Sequence, residues 1–366
     1  MNHVMKRSLI LLLSVLLLPC TASFAQSERA VRYVDASTLT IVGTLMDTPN
    51  PWWRLDPDRF GGFTKTESNQ VRCCAGMAVA FRTDSPLITV AIQRREPQYV
   101  GTSSTAIVST GFDLYIREGG KWIWAENVAF KPGSTGPDTL IDNMDGSIHD
   151  CLLYLPLHSE LYKLELGFEE GSLVEPLEQP FRHRIVFCGS SFTHGGSSSR
   201  PGMTYPSQFE RMTGLQVLNL GCSGNAKLQP YFAEALAAVE ADAFVLDQFS
   251  NPSPELIRER FFPFLETLRN AHPGVPIIFQ HTIVREKINF DTLARKRESE
   301  KRAVADSLMK IAVRRYPDVY YIQPDASGGS HDFSVDGTHP DDYGYYLWAR
   351  SIEKPVLRIL RRYGIK

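Results

Sequence analysis

The chain has 366 residues, a length that favours two domains over a single hydrophobic core. Its 43% hydrophobic and 22% charged residues are typical of a globular protein. The formal net charge is −2, and no Lys/Arg run or interleaving of arginine with aromatic residues is present. This composition argues against a nucleic-acid-binding function, so we expect no nucleic-acid partner.

The first 25 residues have the pattern of a cleavable secretory signal. Lys6-Arg7 precede an apolar run over 9–18, and Ser23-Phe24-Ala25 supplies the small residues that a signal peptidase reads. The run is short for a bilayer span. We therefore predict a secreted or periplasmic protein that begins at Gln26 and does not insert into the membrane after cleavage. Lipid attachment at Cys20 is an alternative that the preceding proline disfavours.

The cysteines do not indicate a metal site. Five remain after the predicted cleavage, and an odd number leaves at least one thiol unpaired within the chain. Their spacing matches no zinc motif, so we predict buried, small apolar residues and leave open whether any disulfide forms. We expect neither a metal nor another cofactor. They are Cys73, Cys74, Cys151, Cys188 and Cys222.

The N-terminal part of the chain has a β pattern. Short segments alternate apolar and polar residues and are separated by turn residues, whereas helical periodicity is nearly absent. This pattern predicts an all-β, jelly-roll-like sandwich domain over residues 26–178. The clearest predicted strands are 77–82, 87–92, 112–116, 122–124 and 161–168.

After a proline-containing linker at 175–180, the pattern changes to short apolar strands that alternate with amphipathic helices. Such alternation predicts a parallel sheet with helices on both faces, a three-layer α/β/α domain of flavodoxin-like appearance over residues 179–366. The predicted strands are 184–188, 215–220, 243–247, 275–279 and 319–322. The predicted helices are 228–240, 254–271, 292–315 and 342–360.

Four polar segments follow predicted strands or precede the last helix, where ligands bind in such sheets. Ser191 lies in a tight strand-to-helix turn, which suits a nucleophile. The later turns contain Gly224, whose amide is sterically accessible, and Asn251, whose side chain can donate a hydrogen bond. Asp336 precedes His339 by three residues, so its carboxylate can hold Nδ1 and leave Nε2 as a base. Each segment alone is more often an ordinary turn, but their combination predicts serine catalysis.

This set of residues resembles the SGNH (GDSL-like) hydrolase family, which is named for Ser, Gly, Asn and His in four blocks. Those blocks fall here on Ser191, Gly224, Asn251 and His339. Residues 111–115, Gly-Phe-Asp-Leu-Tyr, match the Gly-x-Asp-Leu-Tyr signature of a bacterial subfamily in which a β-sandwich precedes the catalytic domain. The resemblance therefore covers nearly the whole chain after the signal.

The resemblance implies a hydrolase that cleaves esters with Ser191, His339 and Asp336 as catalytic residues. It also implies an oxyanion hole formed by the amides of Ser191 and Gly224 with the side chain of Asn251. Water then completes a two-step acyl transfer that needs no metal.

Three positions depart from the usual family pattern. Ser190 stands where the aspartate before the nucleophile is usual, and Phe249 and Pro252 replace the glycine and final aspartate of the third block. The changes in the third block weaken the assignment of Asn251 as an oxyanion donor and indicate an altered acyl pocket.

Three further residues are candidate substrate contacts. His194 is too close to Ser191 along the chain to serve as its base, so a substrate contact is the role we assign it. Arg200 can reach the substrate or hold the loop that follows the nucleophile, and Asn225 lies beside Gly224. Asp113 and Tyr115 are expected to support the sandwich or the domain interface.

These residues predict a serine esterase that hydrolyses short-chain acyl esters, O-acetyl in particular, on an oligo- or polysaccharide. The small, polar loops that bear the predicted triad favour this substrate class. Two alternatives remain open: a lipid esterase or lysophospholipase, and a non-catalytic glycan-binding protein. The sequence does not determine the oligomeric state.

Overall fold

The computed structural model describes residues 29–96, 103–324 and 331–366. The predicted signal peptide, residues 1–25, lies outside these ranges. Within them, none of the helices combines the length and apolar character that crossing a bilayer requires.

The N-terminal half forms two antiparallel sheets. One has the strand order β1-β9-β4-β7, and the other has the order β10-β3-β8-β5-β6 with β2 paired to β3. The strands are β1 Val31–Asp35, β2 Thr40–Val42, β3 Ala78–Thr83, β4 Ile88–Arg94, β5 Gly111–Glu118, β6 Lys121–Ala129, β7 Asp138–Ile141, β8 His149–Tyr154, β9 Leu161–Glu169 and β10 Val174–Pro176. Two short helices, α1 Lys65–Val71 and α2 Ala106–Thr110, accompany them. The predicted all-β domain is confirmed.

The apolar alternation that predicted the strands creates the core of this sandwich. In β9, Leu164, Leu166 and Phe168 are fully buried, and the residues between them include the half-buried Glu165. They pack against residues of the second sheet, including Phe81, whose ring lies 5.7 Å from that of Phe168. One face of each sheet is therefore buried against the other, as period-two patterning requires.

The C-terminal half contains a parallel sheet with the strand order β12-β11-β13-β14-β15. Its strands are β11 Arg182–Gly189, β12 Leu215–Gly221, β13 Ala243–Asp247, β14 Ile277–Gln280 and β15 Val319–Ile322. The helices are α3 Ser191–His194, α4 Tyr205–Thr213, α5 Pro230–Ala237, α6 Pro254–Ala271, α7 Thr292–Arg315 and α8 Asp342–Leu360. Helices α5, α6 and α7 cover one face, and α4 and α8 cover the other. This arrangement confirms the predicted α/β/α layering.

The sequence analysis missed the short helices α1, α2 and α4. Helix α4 begins with Tyr205-Pro206 and has nine residues, too few for its apolar periodicity to stand out. Its ends nevertheless carry clear signals: Thr204 caps the first turn, and Gly214 ends the helix with a φ of 71°. Capping residues, rather than periodicity, would have located this helix.

The two halves share a hydrophobic core. The segment between β2 and β3 contributes Leu45, Leu55 and Val71, which pack with Val186 and Leu218 of the parallel sheet. The division at residues 178 and 179 stays a prediction. The packing shows that the N-terminal half completes one covering layer of the C-terminal half.

All five cysteines in the described part of the chain are buried free thiols. Burial raises the pKa of each thiol, for example to about 12 for Cys73 and Cys151. They therefore behave as small apolar residues and not as reactive thiolates.

A buried carboxyl group connects the two halves near β12. Glu210, on α4, accepts hydrogen bonds of 2.8 Å from the Tyr154 hydroxyl of β8 and from the Val217 amide. Burial raises the pKa of Glu210 to about 8, although both hydrogen bonds act in the opposite direction. The folded protein therefore holds a proton on Glu210 over a pH range in which an unfolded chain has lost it.

This pKa shift predicts a pH-dependent stability. The pKa of Glu210 in the folded protein exceeds its value of about 4.5 in the unfolded chain. Its contribution to the free energy of unfolding is therefore complete below pH 4.5 and is lost as the pH rises towards about 8. Glu210→Gln cannot ionise, so raising the pH from 5 to 8 should favour the variant over wild type by about 3 kcal/mol in the free energy of unfolding. Urea unfolding at both pH values measures this. Glu234→Gln, at an exposed position on α5, is the control; an equal pH response in wild type and E210Q would contradict the prediction.

Candidate active site

A tight turn at the end of β11 presents Ser191. The strand ends at Gly189 and α3 begins at Ser191, and a side chain at position 189 would collide with the Thr193 hydroxyl. Ser190 caps the helix, because its hydroxyl accepts a hydrogen bond from the Phe192 amide. Ser191 is consequently held half-buried at the carboxyl edge of the parallel sheet.

Ser191, His339 and Asp336 form a continuous hydrogen-bonded chain. The distance from Ser191 Oγ to His339 Nε2 is 2.9 Å, and that from His339 Nδ1 to Asp336 Oδ2 is 2.8 Å. Because the carboxylate accepts from Nδ1, the neutral imidazole leaves Nε2 free to accept the hydroxyl proton. The geometry is that required for a serine nucleophile with its base.

Asp336 is held in its ionised form. Burial alone would raise its pKa, but hydrogen bonds from the His339 amide, the His339 ring and the Thr338 amide outweigh it and lower the pKa. The backbone amides of His339 and Thr338 donate hydrogen bonds of 2.7 and 2.9 Å to Asp336 Oδ1, which leaves Oδ2 for the imidazole. Thus the short loop between these residues both orients the carboxylate and keeps it charged.

Two backbone amides in loops at the carboxyl edge of the parallel sheet are available for a ligand. The amides of Ser191 and Gly224 donate to no acceptor in the described ranges. Gly224 is exposed and has a φ of 72°, a conformation that favours glycine. Free amides at a strand-to-helix turn and in a neighbouring loop are the kind of donors that stabilise an oxyanion.

Asn251 remains beside this loop despite the altered third block. Its Nδ2 donates a 2.7 Å hydrogen bond to the Asn225 carbonyl, which leaves one N–H of the amide for a ligand. Phe249 is buried and stacks on Phe279, with ring centroids 5.5 Å apart, so it fills the core beneath the loop. The half-buried Asn225 thus positions Asn251. The substrate contact predicted for Asn225 stays a prediction.

The serine that replaces the usual aspartate joins the nucleophile turn to β13. Ser190 Oγ donates a 2.6 Å hydrogen bond to Asp247 Oδ2, and the Ser190 amide approaches the same oxygen at 3.3 Å. Ser250 donates to the other carboxylate oxygen. Burial raises the pKa of Asp247, and these hydrogen bonds oppose that rise. The buried carboxyl group of Asp247 therefore holds the turn that precedes Ser191 against the end of β13.

A buried ion network supports the same loop from α7. Lys301 Nζ donates to the Ser250 carbonyl and to Glu298, both at 2.8 Å. Arg285 also donates to the Ser250 carbonyl, at 2.9 Å, and to Glu298 at 2.6 Å. Lys301 is buried, and burial lowers its pKa. The sequence analysis missed these residues, because a lysine in an amphipathic helix normally faces solvent.

The structure does not support a substrate contact for His194. Its side chain is fully buried, and Nε2 lies 3.0 Å from the Leu157 carbonyl. That carbonyl requires a proton on Nε2, so Nδ1 accepts from the Ser223 hydroxyl at 3.0 Å. Burial keeps the pKa of His194 well below its ordinary value. As a neutral ring, His194 positions the residue before Gly224.

Arg200 holds the nucleophile loop against the sandwich. Its guanidinium contacts both carboxylate oxygens of Asp113, at 2.9 and 2.8 Å, and the Tyr115 hydroxyl at 2.6 Å. Asp113 also accepts from the Gly202 amide at 2.8 Å. Of the two roles predicted for Arg200, the structure therefore supports loop positioning. Asp113 and Tyr115 lie at the domain interface, as expected.

Arg54, which the sequence analysis missed, supports the second block. It is fully buried, and it donates to the carbonyls of Gln70, Cys73, Asn219 and Gly221 at 2.6 to 3.0 Å. No carboxylate in the described residues pairs with it. Because the last two carbonyls end β12, Arg54 fixes the strand that leads to Gly224.

No group of three or more His, Cys, Asp or Glu side chains is arranged to hold a metal ion within the described ranges. The reactive groups of the site are therefore a hydroxyl, an imidazole and a carboxylate, with amides as electrostatic donors. Such a set is suited to acyl transfer.

Family comparisons agree with the two-part architecture. Residues 182–358 match the model of the GDSL-like Lipase/Acylhydrolase family. Residues 31–174 match the model described as GxDLY, the N-terminus of Esterase_SGNH_hydro-type. No curated protein sequence matches the chain.

Several solved structures are similar over most of the chain. A GDSL-like lipase from Bacteroides ovatus is 36% identical, with a TM-score of 0.86 over 91% of this chain and 98% of that one. A family two carbohydrate esterase from Cellvibrio japonicus is 13% identical, with a TM-score of 0.60 over 91% and 98%. An acetyl xylan esterase from Butyrivibrio proteoclasticus is 14% identical, with a TM-score of 0.56 over 90% and 98%. The last two show likeness of fold.

We expect replacement of Arg54 to lower the stability of the protein strongly, because four buried carbonyls accept hydrogen bonds from it. Arg54→Met keeps much of the side-chain volume but leaves buried acceptors without donors, so the free energy of unfolding should fall by about 3 kcal/mol or more. Denaturant unfolding followed by circular dichroism measures the change. Arg59→Met removes the same charge from an exposed position nearby and should change stability by less than about 1 kcal/mol. Similar losses in both variants would contradict the prediction.

Proposed function

Because the chain belongs to the GDSL-like lipase/acylhydrolase (SGNH) family, we propose that it is a serine esterase that removes short acyl groups, acetyl in particular, from carbohydrates. The observation that carries the proposal is the hydrogen-bonded chain from Ser191 Oγ through His339 to Asp336. We further propose that the enzyme acts outside the cytoplasm, on the basis of the signal-like pattern in residues 1–25.

In the first step, Ser191 Oγ attacks the ester carbonyl carbon while its proton passes to His339 Nε2. Negative charge develops on the carbonyl oxygen, where the free amides of Ser191 and Gly224 and the remaining N–H of Asn251 are available as donors. Asp336 stabilises the resulting imidazolium. Collapse of the tetrahedral intermediate breaks the ester C–O bond, and the departing sugar oxygen takes the proton from His339.

In the second step, water replaces the sugar. Its oxygen attacks the acyl carbon while His339 takes one of its protons, and the same donors hold the second oxyanion. Breaking the bond to Ser191 returns that proton to Oγ and releases a carboxylic acid. The enzyme ends in its starting state, and neither step needs an oxidant, a reductant or a metal.

Two considerations support a carbohydrate ester as the substrate. The C. japonicus and B. proteoclasticus proteins, which share this fold, are named as a carbohydrate esterase and an acetyl xylan esterase. The loops that bear the proposed triad are also polar and rich in glycine, which suits a hydroxyl-rich ligand.

One observation favours a second candidate, an esterase for longer acyl chains or lipids. Phe290 is 95% exposed, Leu293 is 56% exposed and Val335 is 49% exposed. Val335 pairs with His339, because its amide donates to the His339 carbonyl at 2.9 Å. Exposed apolar side chains near a catalytic loop can receive an acyl chain.

Variants of the proposed triad test the mechanism. Ser191→Ala and His339→Ala should each lower kcat for p-nitrophenyl acetate by roughly 10⁴-fold or more, and Asp336→Ala should leave more activity. Asn251→Ala should cost about 10²-fold, as expected for one oxyanion donor. Ser307→Ala, on the exposed face of α7, is the control. Unchanged thermal unfolding shows that the variants are folded, and wild-type turnover in S191A would refute the assignment.

The preferred acyl length separates the two candidate substrates. For p-nitrophenyl esters, kcat/KM should be greatest for acetate and decline with longer chains, and acetylated xylo-oligosaccharides should release acetate. A lipid esterase would instead gain from each buried methylene, by about 0.8 kcal/mol. A maximum at eight or more carbons, without release of acetate from the saccharide, would favour the lipid substrate.

A further inference from the structure

A cavity opens beside the candidate active site. It has a volume of about 620 Å³, and its lining includes Asn251 and Thr338, the residue that precedes His339. Arg285 connects its wall to the nucleophile turn, because the guanidinium lies 5.3 Å from the centre of the Phe192 ring. The cavity therefore lies beside the proposed reaction centre and is of a size that binds small ligands.

The acidic side chains of this cavity already have partners. Glu298 lies between Arg285 and Lys301, at 2.6 and 2.8 Å. Asp291 caps α7 through the Ala294 amide. Glu300 pairs with Lys296, a residue outside the cavity lining, at 3.9 Å.

The remaining acid, Glu255, lies in the first turn of α6. Hydrogen bonds from its own amide and from Ser253 lower its pKa, and Arg258, outside the lining, approaches it at 3.7 Å. Each carboxylate of the cavity is therefore engaged within the protein.

Two basic side chains of the same cavity are without partners. Lys287 and Arg297 are exposed, and neither side chain makes an ion pair or hydrogen bond in the described ranges. The Lys287 amide donates to the Gly337 carbonyl at 2.9 Å, which holds this residue against the loop between Asp336 and His339. Two cations near the proposed triad are thus available for an anionic ligand.

We infer that this cavity binds an anionic substituent, a carboxylate or a sulfate, on the sugar that carries the acyl group. The inference rests on the proposed esterase function and specifies its substrate class. The sugar is the leaving group, so it must lie on the side of His339, which protonates the departing oxygen. Thr338 and Lys287 line the cavity on that side.

The helices around the cavity add to this preference for anions. Helix α6, with 18 residues, and helix α7, with 24, both begin at its lining, and a helix N-terminus carries a partial positive charge. Glu255 and Asp291 offset part of that charge. The unpaired Lys287 and Arg297 therefore remain the main attraction for an anion.

Matched substrates test the inference. We would compare O-acetylated oligogalacturonate, the same oligosaccharide with its carboxylates methyl-esterified, and an O-acetylated sulfated oligosaccharide with its desulfated form. Wild type should show a higher kcat/KM for an acidic substrate than for its neutral partner, mainly through KM. That preference should weaken as ionic strength rises. The larger preference, for the carboxylate-bearing or for the sulfated saccharide, identifies the anionic substituent that the cavity binds.

Paired variants separate the cavity from general charge effects. The double variant Lys287→Met with Arg297→Met should raise KM for the acidic substrate by about five- to tenfold. It should leave KM for the neutral partner and turnover of p-nitrophenyl acetate unchanged. Lys310→Met with Arg314→Met removes the same charge from exposed positions of α7 that lie outside the cavity lining, and should change neither.

The outcomes distinguish this inference from the proposed function. Equal kcat/KM for acidic and neutral partners in wild type, or equal losses in both double variants, would overturn the inference alone. Cleavage of the aryl ester without cleavage of any saccharide ester would contradict both the proposed carbohydrate substrate and the inferred anion site. Absence of turnover on every ester would overturn the esterase function itself.

Discussion

The buried guanidinium of Arg54 is the constraint on which the arrangement of the site depends. A charged group without a carboxylate partner is costly to bury, and here four backbone carbonyls compensate for its lost hydration. Two of them belong to the N-terminal half and two to the end of β12. Removing either pair would leave part of the charge unsatisfied, so the sandwich and the parallel sheet are held in one relative position. That position determines where the loop with Gly224 begins.

The same principle recurs along the carboxyl edge of the sheet, where buried side chains hold three of the loops that form the candidate site. Asp247 braces the turn before Ser191, His194 fixes the hydroxyl of Ser223, and Asp113 anchors the loop through Arg200. Burial keeps His194 neutral, so its contact with Ser223 does not change near neutral pH. A site built in this way is organised before the substrate arrives, which is how oxyanion donors act without reorganisation. Part of the support for the loops of the candidate site comes from the sandwich, through Asp113 and Tyr115.

The cavity beside Asn251 contrasts with this pattern, because Lys287 and Arg297 have no partners in the described residues. The buried charges described above have hydrogen-bond partners, whereas these two exposed cations beside the proposed reaction centre have none in the described residues. Exposed cations without partners also occur elsewhere on α7, so it is the position of Lys287 and Arg297 in a cavity beside the proposed reaction centre that fits a ligand of opposite charge. The exposed Phe290 and Leu293 lie on the same stretch of chain and can pack against the apolar face of a sugar ring or against an acyl chain. Charge and apolar surface together would then determine which esters are cleaved.

The sequence by itself determined the layers of the fold and the order of the reactive segments. Helices α6, α7 and α8 have the predicted bounds 254–271, 292–315 and 342–360, because long amphipathic periodicity is a local property. The contact of Asp336 with His339 could likewise be predicted, since three residues separate them in one loop. Tertiary structure alone decided the partners of Arg54, Arg200 and Lys301, and the burial of His194. These pairings join groups far apart in the chain, and an isolated basic residue gives no local sign of whether its charge will be solvated or buried. Only the packing of the two halves removes water from those positions and makes their hydrogen bonds obligatory.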